Sequence, residues 1–408
     1  MNAPAHQRRA HRDGETDGPA VEKVPGIWRI RSHAAARQVL QARDATSQAG
    51  FTAEFVPRGR LKHHPILFSD GPLHDEQRRK VGRFFAPAVV EARYGPLMAS
   101  SAEALVGEAV SKGRCLVDDL ALLYSVEVTR QVVGLTNSST KGMARRLVSF
   151  FNQPPFDITK PDLGRTRRQW AMAALNGLGP IVRFYAADVR PAIRARRRQP
   201  QEDVLSHLIA EGYSDLDILV EALTYGTAGM VTTREFISMA LWHLLTTPDL
   251  LAAYQAADAD ARVGILTEII RLEPVVGHLY RRMQVDMVVA DGDTTRTLPA
   301  GDLVDLCVRP ANADPAAVGP DPLTLCPARP LARGVHPAGL SFGDGAHRCP
   351  GQPLAMRETE VLISRLLREQ PRLLAEPRLE WDDLVAGYCL RGFEIAFGDG
   401  PTREPQRG

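Results

Sequence analysis

Ser341-Phe342-Gly343-Asp344-Gly345-Ala346-His347-Arg348-Cys349-Pro350-Gly351 (SFGDGAHRCPG) sets a cysteine two residues after a histidine, inside a run of three glycines. Glycines at 343, 345 and 351 permit backbone conformations that let a flat ligand lie close against the chain. A lone cysteine is ordinarily a small buried hydrophobe. Here the tight backbone leaves the sulfur little cover. A thiolate in that position is stabilised by nearby N–H groups, by a metal, and by the positive end of the helix expected in LAMRETEVLISRLLREQ.

Working outward, 408 residues with 44% apolar and 24% charged content can bury a large core, and two or three average domains would also fit. A formal charge of +2 is too mild for a chain that tracks phosphate backbones, so no nucleic acid partner is expected. The five cysteines, Cys115, Cys307, Cys326, Cys349 and Cys389, form no CxxC pair, which argues against a disulfide framework or structural zinc and for a reducing compartment. The N-terminus, MNAPAHQRRAHRDGETDG, has basic residues but no apolar run after them. It reads as neither signal peptide nor membrane anchor. The expectation is a cytoplasmic protein, off the membrane, with a disordered tail over 1–25, one domain over 26–400 and a second tail over 401–408.

Gly26-Ile27-Trp28-Arg29-Ile30 reads as a short strand, and Ser32 before AAARQVLQAR as a capped helix. From about 70 to 300 the pattern is mostly amphipathic helix broken by Pro and Gly. The longest helix starts at Ser214, where Ser214-Asp215-Leu216-Asp217 supplies a cap, and runs to Thr247, where Pro248 stops it. At 1.5 Å per residue it is roughly 50 Å long, enough to cross the domain as a buried rod. Its middle, TYGTAGMVTT over 224–233, weakens the helix, so either a neighbour packs closely there or the helix opens locally. Strand character returns in Val285–Val289 and Leu303–Cys307, read as a small antiparallel unit across DGDTTRT. The Pro- and Gly-rich stretch from Ala311 to Leu340 is long for a structureless connection. The fold class expected is mainly α with small β-sheets, in a single domain. The basic run Arg194–Arg198 reads as a solvated helix end.

FGDGAHRCPGQPLA resembles the haem-binding signature Phe-Gly-x-Gly-x-His-x-Cys-x-Gly of the cytochrome P450 superfamily, the haem-thiolate monooxygenases. The resemblance implies the P450 fold, with the long helix over the haem, and Cys349 as axial thiolate of a haem b iron, a ligand that pushes electron density onto the metal and favours O–O cleavage. It also implies that His347 donates to a haem propionate, that Phe342 packs near the sulfur, and that Gly351 lets the chain pass the cofactor. Glu268-Ile269-Ile270-Arg271 resembles the family's Glu-x-x-Arg motif, and Leu325-Cys326-Pro327-Ala328-Arg329 its Phe-x-Pro-x-Arg loop, with Leu325 in place of the aromatic. Glu268, Arg271 and Arg329 would then form a buried cluster supporting the cysteine loop. His74 and Arg78, four residues apart on one helix face, match the family's His-x-x-x-Arg donors, and Arg281 a further propionate ligand.

Ala228-Gly229-Met230-Val231-Thr232 resembles the family's Ala-Gly-x-Asp/Glu-Thr segment, where the helix opens for oxygen. Ala228, Gly229 and Thr232 are thereby expected at the catalytic site. Val231 departs from the pattern, because it stands where many relatives carry the acid that relays protons. Buried water, substrate groups or Glu235 are the alternatives for that task. The resemblance covers about residues 26 to 400 and is closest to the soluble bacterial type. It implies electrons from a ferredoxin and an NAD(P)H-dependent reductase, with Arg78, Arg79, Lys80, Arg83 and Arg348 as the docking patch on a monomer. The activity expected is hydroxylation or other oxidation of a small secondary-metabolite substrate. The alternative is oxidative C–C or C–N coupling of an aromatic natural product, for example a cyclic dipeptide. Substrate contacts are expected in 49–67, 150–187, 274–279 and 386–393, which carry Phe51, Phe55, Phe150, Phe151, Phe156 and Tyr388 beside Asn152, Gln153 and His278.

Overall fold

The long helix is the axis on which the rest of the chain is laid. It runs Asp215–Thr246, and Ser214 caps it by accepting from Asp217 N while the Asp217 side chain accepts back from Ser214 N. From Thr233 to Leu244 every residue is buried, as expected of a helix packed on all sides. The segment Gly226–Val231 is a π-turn, so the helix does open where its sequence weakens. Close packing accompanies the opening: a Cβ on Gly226 would lie 3.0 Å from Leu147, and one on Gly229 would lie 3.3 Å from Thr129. The neighbouring helix Val117–Val133 also satisfies the disturbed backbone, since Ser125 Oγ donates to Met230 O at 2.8 Å.

The computed structural model describes residues 7–50 and 61–398. Phe51, Phe55 and the expected tail 401–408 lie outside the described residues. The architecture is mostly helical with small sheets, a single-domain α+β fold. The largest sheet has five strands in the order Val21–Val24, Ile27–Ile30, Leu303–Cys307, His278–Met283, Thr46–Ala49. Leu303–Cys307 is fully buried, pairing parallel to Ile27–Ile30 and antiparallel to His278–Met283.

Three expectations need correction. The hairpin that contains Val288 and Val289 is Met287–Asp291 with Thr294–Leu298, and Leu303–Cys307 takes no part in it. Thr294–Arg296 are polar and lack apolar alternation, yet β-branched threonines on an exposed strand carry strand propensity of their own. Residues 7–25, expected as disordered tail, are built into the fold. Arg8 is buried and donates to Leu272 O at 2.8 Å and Arg309 O at 2.9 Å. Glu15 meets Arg309 at 2.6 Å and His278 at 3.1 Å, and Val21–Val24 joins the sheet. The partners lie at the other end of the sequence, so no local pattern announced them. The run Arg194–Arg198 is also only partly solvated: Arg196 is buried and paired with Asp203 at 2.5 Å. Among the described residues, no single helix is long and apolar enough to cross a membrane.

Candidate functional site

The cysteine loop holds its shape through left-handed glycines and a borrowed carboxylate. Gly343 and Gly345 have φ of +68° and +66°, and a Cβ on Gly345 would lie 2.1 Å from Leu40 O. Asp344 accepts from Gly345 N at 2.7 Å, Arg37 Nε at 2.7 Å and Gln41 Nε2 at 3.1 Å, which pins the loop to the helix His33–Gln41. Cys349 N donates to Phe342 O at 2.8 Å, closing the loop in front of the helix Gln352–Leu367. Cys349 is exposed, yet the protein around it is dense enough that burial pushes its thiol pKa up. The N–H groups of Gly351 and Gln352 and the guanidinium groups of Arg78 and Arg348 act the other way and favour the thiolate. Ala228, midway along the central helix, is likewise exposed.

Behind the loop lies a buried ionic cluster. Arg271 donates to both oxygens of Glu268 at 2.7 Å, and Arg329 Nε reaches Glu268 at 3.2 Å. The remaining guanidinium donors hold carbonyls of the long connection: Arg271 those of Asn312 and Pro322, Arg329 those of Val318, Pro320, Asp321 and Thr324. Asn312 carries the order onward, accepting from Leu340 N at 2.6 Å and donating to Ser341 Oγ at 2.9 Å, at the threshold of the cysteine loop. Asn312 and Ser341 belong to no pattern in the sequence, and their importance is visible only once the cluster is folded.

A second group gathers beside the loop. A small pocket is lined by Arg43, Asp70, His74, Arg281, Ala346 and His347 among others. His347 bonds Asp70 at 3.0 Å and its ring stacks on that of His74, centroids 4.1 Å apart. Burial, then His347 and Arg78, lower the His74 pKa to about 4, and its Nδ1 has no hydrogen-bond partner. Burial lowers the Arg281 pKa to about 10, with Asp70 opposing. Arg78 is directed elsewhere, donating to Arg348 O in the cysteine loop. The structure thus brings His74, His347 and Arg281 together and places Arg78 nearer the sulfur. Asp70 and Arg43 were not anticipated; an acid immediately before the Gly-Pro helix start was the available sign for Asp70.

These residues fit a haem. The orphaned His74 Nδ1 and the buried Arg281 guanidinium, with Asp70 as the one carboxylate lining the pocket, are what a propionate would compensate, and the exposed Cys349 is what iron would bind.

Along the central helix, Thr232 Oγ1 donates to Ala228 O, and Val231 is buried. Glu235 is turned away from Thr232: its two oxygens accept from Leu390 N and Arg391 Nη1, each at 2.7 Å. It is therefore occupied and does not stand in for the acid missing at 231. A separate cavity is lined by Phe150, Gln153, Phe156, Leu163, Arg165, Gly177 and Leu384, the first six of which lie in one segment, 150–187, expected to touch substrate. Tyr388 and His278 are held by other partners. Tyr388 is fully buried with its hydroxyl on Glu273 O at 3.2 Å. His278 is clasped by Asp305 at 2.9 Å and Glu15 at 3.1 Å; burial would lower its pKa, but Asp305 and Glu15 hold it well above the ordinary value. That satisfied imidazolium clamps the N-terminal segment to the sheet.

Comparison with known proteins agrees with this geometry. Residues 264–370 match the family model described as Cytochrome P450. The chain is 28% identical over 372 residues to cytochrome P450 monooxygenase PikC of Streptomyces venezuelae, covering 88% of this chain and 82% of that protein. It is 26% identical over 348 residues to cytochrome P450 130 of Mycobacterium tuberculosis, covering 82% and 78%. Among solved structures, a mutant of P450 EryK in complex with erythromycin B superposes with a TM-score of 0.76 at 22% identity, over 94% of both chains, a likeness of fold.

Proposed function

The chain belongs to the cytochrome P450 superfamily and is an oxidoreductase of the monooxygenase type, and on that premise we propose that it hydroxylates or otherwise oxidises a small organic molecule of secondary metabolism with Cys349 as the haem ligand. The observation that carries the reading is the exposed Cys349, held in a glycine-built loop whose neighbouring N–H groups favour its thiolate. The overall change is RH + O2 + 2H+ + 2e− giving ROH + H2O. Haem b, when bound, supplies the activation of O2.

The chain's own residues do the rest. Cys349 offers the thiolate, favoured by the N–H groups of Gly351 and Gln352, and Phe342 closes the loop over it. His74, His347 and Arg281 would hold the propionates, and Arg78 ties the helix Gly71–Gly82 to the loop. Ala228 and Gly229 keep the opened turn free of bulk, and Thr232 holds a hydroxyl there. The cavity walls formed by Phe150, Phe156, Leu163 and Leu384, with Gln153 as polar handle, suit a medium-sized, partly polar aromatic ligand. Electrons come from a ferredoxin and an NAD(P)H-dependent reductase, docking where Arg79, Arg83 and Arg348 are exposed. The enzyme works in the cytoplasm as a monomer.

The coupling alternative rested on Val231, and no geometric feature favours it. A spectral screen for compounds that shift the Soret band, followed by mass analysis after turnover with ferredoxin and reductase, tests the reading. A product heavier by one oxygen is expected; a product lighter by two hydrogens would overturn hydroxylation.

A further inference from the structure

The wall of the cavity bordered by Phe150 and Phe156 carries a cation. Arg165 stands just before Thr166, the cap of the helix Arg167–Phe184, and the residues that line the cavity with it, Phe150, Gln153, Phe156, Leu163, Gly177 and Leu384, bear no charge. Its guanidinium is fixed in two ways. Nη2 donates to Pro154 O at 2.6 Å and Nε to Pro155 O at 3.3 Å, while the rings of Phe156 and Trp170 lie 5.3 and 5.2 Å from its Cζ. Carbonyl oxygens and ring faces orient a cation without cancelling its charge.

No acid of the chain supplies the missing anion. Among the described residues Arg165 forms no ion pair and its Nη1 has no acceptor; burial lowers its pKa with no acid acting on it. The acids closest in sequence or beside Leu384 are committed or solvated. Asp157 pairs with Lys160 at 3.2 Å and accepts from Thr159, and Asp188, the next acid along the chain after Asp162, is held by Arg146 at 2.6 Å. Asp383 pairs with Arg12 at 3.7 Å, Asp382 accepts from Leu384 N, and Asp162 is exposed. A half-buried guanidinium in an apolar wall is best satisfied by an anion that arrives with the ligand.

We propose that the substrate is an aromatic carboxylic acid and that Arg165 binds its carboxylate. The proposal rests on taking this cavity as the substrate's. One guanidinium balances one negative charge, which fits a carboxylate and not a phosphate dianion, and the free Nη1 donors can bond its oxygens while Phe150, Phe156 and Leu163 cover the apolar part. If Arg165 only tied Pro154 and Pro155 in place, the charge of the ligand would be immaterial.

Paired titrations of the holoprotein at neutral pH test this, with the acids from phenylacetate to phenylhexanoate as probes and the matching primary amides as uncharged partners. Binding is read by calorimetry and by the Soret shift. In at least one pair the acid should bind about tenfold tighter than its amide, the difference expected of a charge-assisted hydrogen bond, and added salt should weaken the acid alone. Arg165→Gln should bring that pair to equal affinity, and Arg165→Lys should keep part of the preference. Arg168→Gln, at an exposed arginine of the following helix, should leave it intact. If Arg165→Gln does not fold, Arg165→Lys and the salt series on the wild type carry the test. Equal affinities in every wild-type pair, failure of all the acids to bind, or a preference that survives Arg165→Gln or disappears with Arg168→Gln would overturn the proposal. With a normal thiolate spectrum these outcomes leave the haem reading intact, whereas a wild type without that spectrum would remove the haem reading itself.

Discussion

Arg271 grips both oxygens of Glu268 at 2.7 Å, and the same guanidinium donates to Asn312 O, which places the cysteine loop two hydrogen-bonded steps from a buried ion pair. Removing one partner strands the other charge in the interior, at a cost of about 3–5 kcal/mol. That is a large part of a typical domain's stability. Arg271→Ala and Glu268→Ala are each expected to give mostly insoluble chain, with little haem in what remains soluble. Haem content per mole of soluble protein checks this.

His74 couples the site to pH. Its folded pKa, about 4, lies below the ordinary value of 6.5. Above pH 6.5 both folded and unfolded chains hold it neutral, and it contributes no pH dependence. As pH falls from 6.5 to 4, the unfolded chain takes up a proton that the fold refuses, so stability falls. Urea midpoints of the haem-free chain should therefore drop over that window, and His74→Gln should drop less. Haem should protect the wild type, because a propionate favours the protonated ring.

Arg196 and its neighbours give an internal contrast. Arg196 is buried against Asp203, whereas Arg194 and Arg198 are exposed. Arg196→Ala should lose about 3–5 kcal/mol, and Arg194→Ala and Arg198→Ala should stay within about 0.5 kcal/mol of wild type. Chemical unfolding of the three variants separates them.

Glu15 tests the corrected N-terminus. It faces Arg309 at 2.6 Å and His278 at 3.1 Å, all three buried or nearly so. Glu15→Ala should lower the thermal midpoint by several degrees, since stranding a buried charge costs about 3–5 kcal/mol and each 1 kcal/mol shifts a chain of this length by about 1 °C. A midpoint unchanged from wild type would return the segment to the status of a tail.

What could be read from the sequence was whatever is local. The Ser214 cap, the weakened turn around Gly229, the glycines of the cysteine loop and the four-residue spacing of His74 and Arg78 are all written within a few residues of one another. The signal faded where a side chain's partner is distant. Arg8 and Glu15 look like a polar tail until Leu272, His278 and Arg309 arrive from the far end of the chain. Arg78 shares a helix face with His74, yet the loop at Arg348 draws it away. His278 sits among expected substrate contacts, but strand alternation turns it toward Asp305, on the face opposite Arg281.

The central claim is that the Cys349 sulfur binds iron, and the absorption spectrum of the ferrous carbonyl form tests it most directly. The purified holoprotein should show the far red-shifted Soret maximum of a thiolate-ligated haem, and Cys349→His should lose it while still binding haem. A correctly folded wild type that stays colourless, or whose carbonyl maximum sits where imidazole-ligated globins have theirs, would contradict the account.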